Sequence, residues 1–233
     1  MSKRFVVLAL FAFVFISSVF ASAFSLYMTG SYLWSYDTNV FSNPMLKNAT
    51  TNSAWQQIRK IDPYIKRFNN GFKLTSDMFF SKEGRTGLSI SFDIGFPYKA
   101  TEYEPDTEDL NNSNWEYKSK DALDEQKTSM FFGLGPAFRV ILGRVDIALA
   151  LRFSLGSYDY FDNNVIFGIQ ADPYVNVFIS EDIYMTAGLH YDAHLMYFYL
   201  SGDEIYLPNY IKLTAGAFVG VGYKFGSERE TNV

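Results

Sequence analysis

From Ile211 to Phe225 the chain alternates between apolar and polar positions. Ile211, Leu213, Ala215, Ala217, Val219, Val221, Tyr223 and Phe225 are apolar. Between them stand Lys212, Thr214, Gly216, Gly220, Gly222 and Lys224, with Phe218 the exception. Successive side chains of a strand point to opposite faces, so this pattern predicts a strand with one apolar and one polar face. Seven other segments repeat it: Phe24–Tyr36, Gly71–Phe80, Leu88–Phe96, Thr128–Val140, Val145–Gly156, Val165–Phe178 and Ile183–Tyr197. Pro136 and Pro173 fall inside two of them. Proline cannot donate to a ladder, so bulges are expected there.

The connections alternate in length. Asp37–Asn70 and Pro97–Lys127 are long and polar. Ser81–Arg85, Leu142–Arg144 and Ser180–Asp182 are tight turns, and Ser157–Asn164 and Phe198–Pro208 are intermediate. Trp55, Ile58 and Ile61 have helical spacing ended by Pro63, which predicts a short amphipathic helix in the first long connection. Short turns at one end and long loops at the other are the asymmetry of an outer-membrane barrel, with turns periplasmic and loops extracellular. Eight strands then leave both termini on the periplasmic side.

Charge decides between a membrane barrel and a soluble one. The apolar faces of the eight segments carry no Lys, Arg, Asp, Glu or His. The opposite faces carry Lys73, Asp77, Asp93, Arg139, Asp146, Arg152, Asp172, Asp192, Lys212 and Lys224, with His190 and His194 beside them. A charge facing lipid costs about 2–4 kcal/mol at the midplane. A soluble ligand-carrying barrel would reverse the pattern, with an apolar lumen and a polar exterior. The prediction is therefore all-β: an eight-stranded antiparallel up-and-down transmembrane β-barrel. Closure also removes the open sheet edges that lipid does not tolerate. Tyr32, Trp34, Tyr36, Phe96, Tyr98, Tyr158, Tyr197 and Tyr210 fall toward one rim. Phe24, Phe80, Phe138, Tyr223 and Phe225 fall toward the other. Rings of this kind suit the headgroup zone.

The start of the chain changes where this barrel is expected. Lys3 and Arg4 precede an apolar run from Phe5 to Phe20, and Ala21-Ser22-Ala23 is a small-residue cleavage site. This is the layout of a signal peptide over 1–23, and the run is short for a membrane-spanning helix. Residues 24–225 are then the barrel and 226–233 a polar tail. Without cysteine, the chain has no disulfide, thiol nucleophile or cysteine-ligated metal. Removing Lys3 and Arg4 takes the formal charge from −5 to −7, which argues against nucleic acid as a partner.

The chain at this point resembles small bacterial outer-membrane barrels of the OmpX and OmpA transmembrane type. Members of that class end in a strand patterned as glycine, two residues, aromatic, one residue, aromatic, which the barrel-assembly machinery recognises. Gly220, Tyr223 and Phe225 match that assembly signal. Phe218 and the tail from Gly226 to Val233 depart from it. The resemblance implies outer-membrane lipids and the assembly machinery as partners, and no cofactor. Some eight-stranded relatives are lipid A deacylases or acyltransferases that use a Ser with a His and an acid. Here His190, Asp192 and His194 share an inward face, but no Ser lies two residues from either His.

An eight-stranded barrel has an interior about wide enough for side chains to fill. The inward set balances five carboxylates against five bases, so the first expectation is a cross-linked polar plug. Arg139 and Asp146, at the base of one hairpin, are expected to pair. Arg152, Asp172 and His190 come to similar heights on three consecutive strands. Pro97–Lys127 holds nine acidic and four basic residues, and Asp37–Asn70 two acidic and five basic. These loops are the candidate surface for an extracellular ligand. Glu104, Asp106, Glu108 and Asp109 lack the spacing of an EF-hand, and no other metal motif is present. The favoured function is a non-enzymatic scaffold that displays loops for envelope integrity or surface interaction. A narrow pore for small solutes or hydrophobic molecules is the alternative, and a lipid-modifying enzyme the third.

Overall fold

The computed structural model describes residues 25–42, 64–80, 84–105, 117–157, 164–199, 205–206 and 210–226. The expected signal peptide over 1–23, the helix expected around Trp55, Ile58 and Ile61, the acidic residues Asp106, Glu108 and Asp109, and most of the expected polar tail lie outside these residues. Among the described residues there are ten strands: β1 (Ser25–Ser42), β2 (Tyr64–Phe79), β3 (Thr86–Pro105), β4 (Tyr117–Asp121), β5 (Ser129–Leu142), β6 (Val145–Ser157), β7 (Asn164–Phe178), β8 (Ile183–Tyr199), β9 (Ile205–Tyr206) and β10 (Tyr210–Phe225). Eight of them pair in succession, β1-β2-β3-β5-β6-β7-β8-β10, and β10 returns to β1, all antiparallel. The closing seam runs from Leu26 opposite Phe225 to Ser42 opposite Tyr210.

The alternation read from the sequence is the alternation of burial. Along β5 and β6 nearly every second residue is exposed and its neighbours are buried. The exposed set is apolar: Phe153 is 68 % exposed, Phe72 58 % and Val221 57 %. The buried set holds the charges. This apolar exterior around a polar interior is sheet geometry suited to hydrocarbon, where each backbone group is bonded to a neighbouring strand. The chain is a closed eight-stranded antiparallel transmembrane β-barrel.

At the tight β5–β6 turn, Gly143 takes φ +59°, the left-handed conformation that hairpin turns require at their first central residue. The loop end departs from expectation. Asp37–Ser42, Tyr64–Asn70 and Pro97–Pro105 are strand, not polar loop, because β1, β2 and β3 continue to pair beyond the apolar belt. β4 then takes the edge of β3 above the point where β5 leaves it. The bulges also lie elsewhere than expected. Register stays constant through Pro136 and Pro173, each of which forgoes pairing with one neighbour only. The extra residues are Val40, Tyr98 and Leu195, all toward the loop end.

Candidate functional site

Inward positions of consecutive strands meet across the narrow lumen, and the charges placed there pair with each other. At mid-height β6, β7 and β8 bring Arg152, Asp172 and His190 together. Arg152 donates to Asp172, and His190 Nδ1 lies 2.8 Å from the other oxygen of that carboxylate. From β2, Lys73 Nζ reaches Asp172 at 2.8 Å and both oxygens of Asp93 at 3.0 and 3.1 Å. A carboxylate only accepts, so His190 Nδ1 carries the hydrogen; its 3.4 Å contact with the Lys73 ammonium is therefore not a hydrogen bond. Gln170 ties the group together, accepting from Ser91 at 2.8 Å and Arg152 at 2.9 Å while donating to Asp93 at 2.7 Å. Asp77 accepts from Ser89 and from Tyr174 at 2.6 Å. All five charged members of this layer are 5 % exposed or less.

Below it, toward the short turns, the lumen is closed by aromatic rings. Tyr27, Phe79, Phe178 and Tyr184 are all buried, with the Tyr27 ring 5.5 Å from Phe79 and from Tyr184 and 6.0 Å from Phe178. The Arg139 guanidinium lies 4.0 Å from the Phe79 ring centre, a close cation–π geometry. Arg139 and Asp146, expected to pair directly, stand 3.9 Å apart with the Tyr27 hydroxyl between them. That hydroxyl accepts from Arg139 and donates to Asp146 at 3.1 Å. Lys224, also buried, lies toward this end.

Above the mid-height layer, Asp37 and Arg67 form an ion pair at 2.8 Å, both 1 % exposed. Asn69 and Thr214 add donors to Asp37 at 3.1 and 2.8 Å. His194 lies 3.3 Å from Asp192 and stacks on Phe131, ring centres 4.6 Å apart. Ser154 donates to the other Asp192 oxygen at 2.9 Å. Lys212 is half-buried at the register position opposite His194 and Asn39. His190, Asp192, His194 and Asn69 border a small cavity of about 20 Å³, room for about one water molecule.

Three kinds of residue in this network were missed by sequence reasoning. Asp37 and Arg67 belong to the inward set, adding one charge of each sign and leaving it balanced. Their signal was the period of two, which runs unbroken from Ser25 to Asp37 and from Lys73 back to Arg67. Phe218, the exception in the last strand, faces the lumen, 7 % exposed, with Lys73 Nζ 5.7 Å over its ring. The aromatic layer also occupies inward positions, where a polar residue was expected.

Chemically, the arrangement holds charges rather than poising them. Ser89, Ser154 and Ser91 donate to Asp77, Asp192 and Gln170, and Ser89 and Ser35 also accept from Arg152 and Asn69. Among the described residues no group of three or more His, Asp or Glu is arranged to hold a metal ion. The two aromatic residues of the pattern matched to an assembly signal end β10 on the outside: Tyr223 and Phe225 are 42 % and 40 % exposed, ring centres 4.6 Å apart.

No protein-family model matches this chain, and no curated protein matches its sequence. Solved structures of outer-membrane and surface proteins are similar to it. Neisserial surface protein A is 10 % identical with a TM-score of 0.47, over 86 % of this chain and 97 % of that one. The outer membrane protein OprG from Pseudomonas aeruginosa is 9 % identical with a TM-score of 0.45, over 88 % and 98 %. The outer membrane protease OmpT from Escherichia coli is 6 % identical with a TM-score of 0.42, over 87 % and 96 %. The architecture of this chain rests on its own closed register and apolar belt.

Proposed function

We propose that this chain is an outer-membrane scaffold whose barrel is sealed and non-enzymatic. It anchors in the bilayer and presents its loop-end strands and loops outward, for envelope integrity or surface interaction, with both termini periplasmic. The observation that carries this reading is the double closure of the lumen. A conducting pore needs a continuous wet path. Here the ion-paired layer around Asp172 lies directly above the aromatic layer around Tyr27, and both are buried. The ion pairs are buried, and removing one partner would leave the other charge buried without it.

The test is single-channel conductance of the refolded protein in a planar bilayer, after a heat-dependent gel shift has established folding. A folded, inserted barrel that stays silent is the expected result. Reproducible conductance that changes on substituting Arg152 or Asp172 would replace the scaffold with the narrow-pore reading.

A further inference from the structure

Five carboxylates of the lumen stand beside a permanent cation. Asp37 has Arg67, Asp77 has Arg152, Asp93 has Lys73, Asp146 has Arg139, and Asp172 has both Lys73 and Arg152, all within 3.9 Å. Asp192 is the exception. It is 3 % exposed, and its partners among the described residues are Ser154 at 2.9 Å and His194 at 3.3 Å. The layer below has no positive charge to spare, since Lys73 and Arg152 already face Asp77, Asp93 and Asp172. Lys212, toward the loop end, does not border the cavity that Asp192 lines.

A second group at the same cavity is unserved. Asn69 is 2 % exposed, and its side-chain nitrogen donates to Asp37 at 3.1 Å and to Ser35 at 3.3 Å. A carboxylate only accepts, so the amide cannot be turned the other way round. Its Oδ1 is buried and accepts no hydrogen bond among the described residues. A buried acceptor without a donor is costly. Asn69 and Asp192 both border the cavity of about 20 Å³, and Ser35, Ser129 and Thr214 add hydroxyl groups to its wall.

Three occupants meet different parts of this need. A proton on His194 would offset Asp192 and leave Asn69 Oδ1 unmet. A water molecule would donate to Asn69 Oδ1 and leave the buried carboxylate without a counter-charge. A cation meets both. We propose that this cavity binds one monovalent metal cation of about the size of K⁺, held between the Asp192 carboxylate and Asn69 Oδ1. Hard cations take oxygen ligands, and amide carbonyl oxygens can replace part of the hydration shell of K⁺. One carboxylate without a counter-charge matches a single positive charge. K⁺ is also close in size to the one water molecule the cavity has room for. The inference does not rest on the scaffold reading, because the site would fill whether or not the barrel conducts.

Thallium(I), a K⁺ stand-in with strong anomalous scattering, tests it. The whole protein is refolded and crystallised with thallium nitrate as the sole source of monovalent metal cations, so that no ion has to enter a closed barrel. The expected result is an anomalous peak in the cavity, in contact with Asn69 Oδ1 and an Asp192 oxygen. Refolding in a large excess of potassium nitrate should abolish the peak, and this arm needs no variant. The Asp192→Asn protein should lose the peak while keeping its heat-dependent gel shift. A cavity without an anomalous peak, whether dry or holding water, overturns the proposal. So does a peak that excess potassium does not displace, or one that survives in Asp192→Asn.

Discussion

Asp172 gathers more charge than any neighbour in the mid-height layer: Arg152, Lys73 and His190 all reach it. Removing its charge while keeping its shape, as Asp172→Asn, leaves two buried cations short of their partner. Breaking a buried pair in this way costs about 3–5 kcal/mol. His190→Ala removes one of three donors and leaves both cations paired, so a loss of about 1–3 kcal/mol is expected. Urea unfolding of the two variants in vesicles should show this order, Asp172→Asn well below His190→Ala. A His190→Ala barrel of unchanged stability that has lost a lipid-modifying activity would show the histidine to be chemical rather than structural. Arg152, Asp172 and His190 could be matched from the sequence because equal counts from the short turns give equal heights on consecutive strands. Asp37 and Arg67 could not be matched that way, because the polar composition of the first long connection masked two strands that continue through it. Phe218 and Tyr27 were illegible for another reason. A lumen this narrow holds rings against cations as readily as charges against charges, and period alone does not say which.

Among the elements, β10 shows how closely a strand's sequence follows what lies across from it. Gly222 stands opposite Tyr184, and a Cβ added there would fall on the Tyr184 ring. That absent side chain is what lets Tyr184 lie across the lumen and bond Thr29 at 2.7 Å. Gly222→Ala should therefore push the ring out of the aromatic layer, at an overpacking cost of about 1–3 kcal/mol. The check is the temperature at which the folded band is lost in the gel-shift assay, expected to fall. The prolines give the opposite lesson. Pro136 and Pro173 sit in strands whose register is unbroken, because each loses pairing with one neighbour and keeps it with the other. Bulges occur where strands leave the belt, and the sequence marks those sites with Val40, Tyr98 and Leu195, none a turn residue.

For the molecule as a whole, the burial of its ion pairs separates its stability from its surroundings. Mobile ions screen exposed charges over about 10 Å at 0.1 M salt but act weakly on buried ones. The unfolding midpoint in urea should therefore change little between about 0.05 and 0.5 M NaCl. A steep fall would place the dominant pairs at the surface and contradict the buried plug. The eight-strand architecture was legible because lipid imposes one rule on every strand, apolar outside, and that rule left its mark in each segment. The rise of β2, β3 and β4 above the membrane obeys no such rule, and its pattern is weaker for that reason.

The seam between β1 and β10 joins nearly the first described residue to nearly the last, Leu26 to Phe225. A chain made from its N-terminus exposes the edge of β1 long before β10 exists to cover it. Hydrocarbon offers no water to occupy such an edge in the meantime. An unpaired strand edge is also a template for any other strand it meets. The barrel therefore cannot assemble by inserting one strand after another and waiting. Either the whole chain is held together before it enters the bilayer, or another protein lends β1 a strand until its own arrives. Closure is then the last event of folding, and until it happens the molecule has a gap along one entire side.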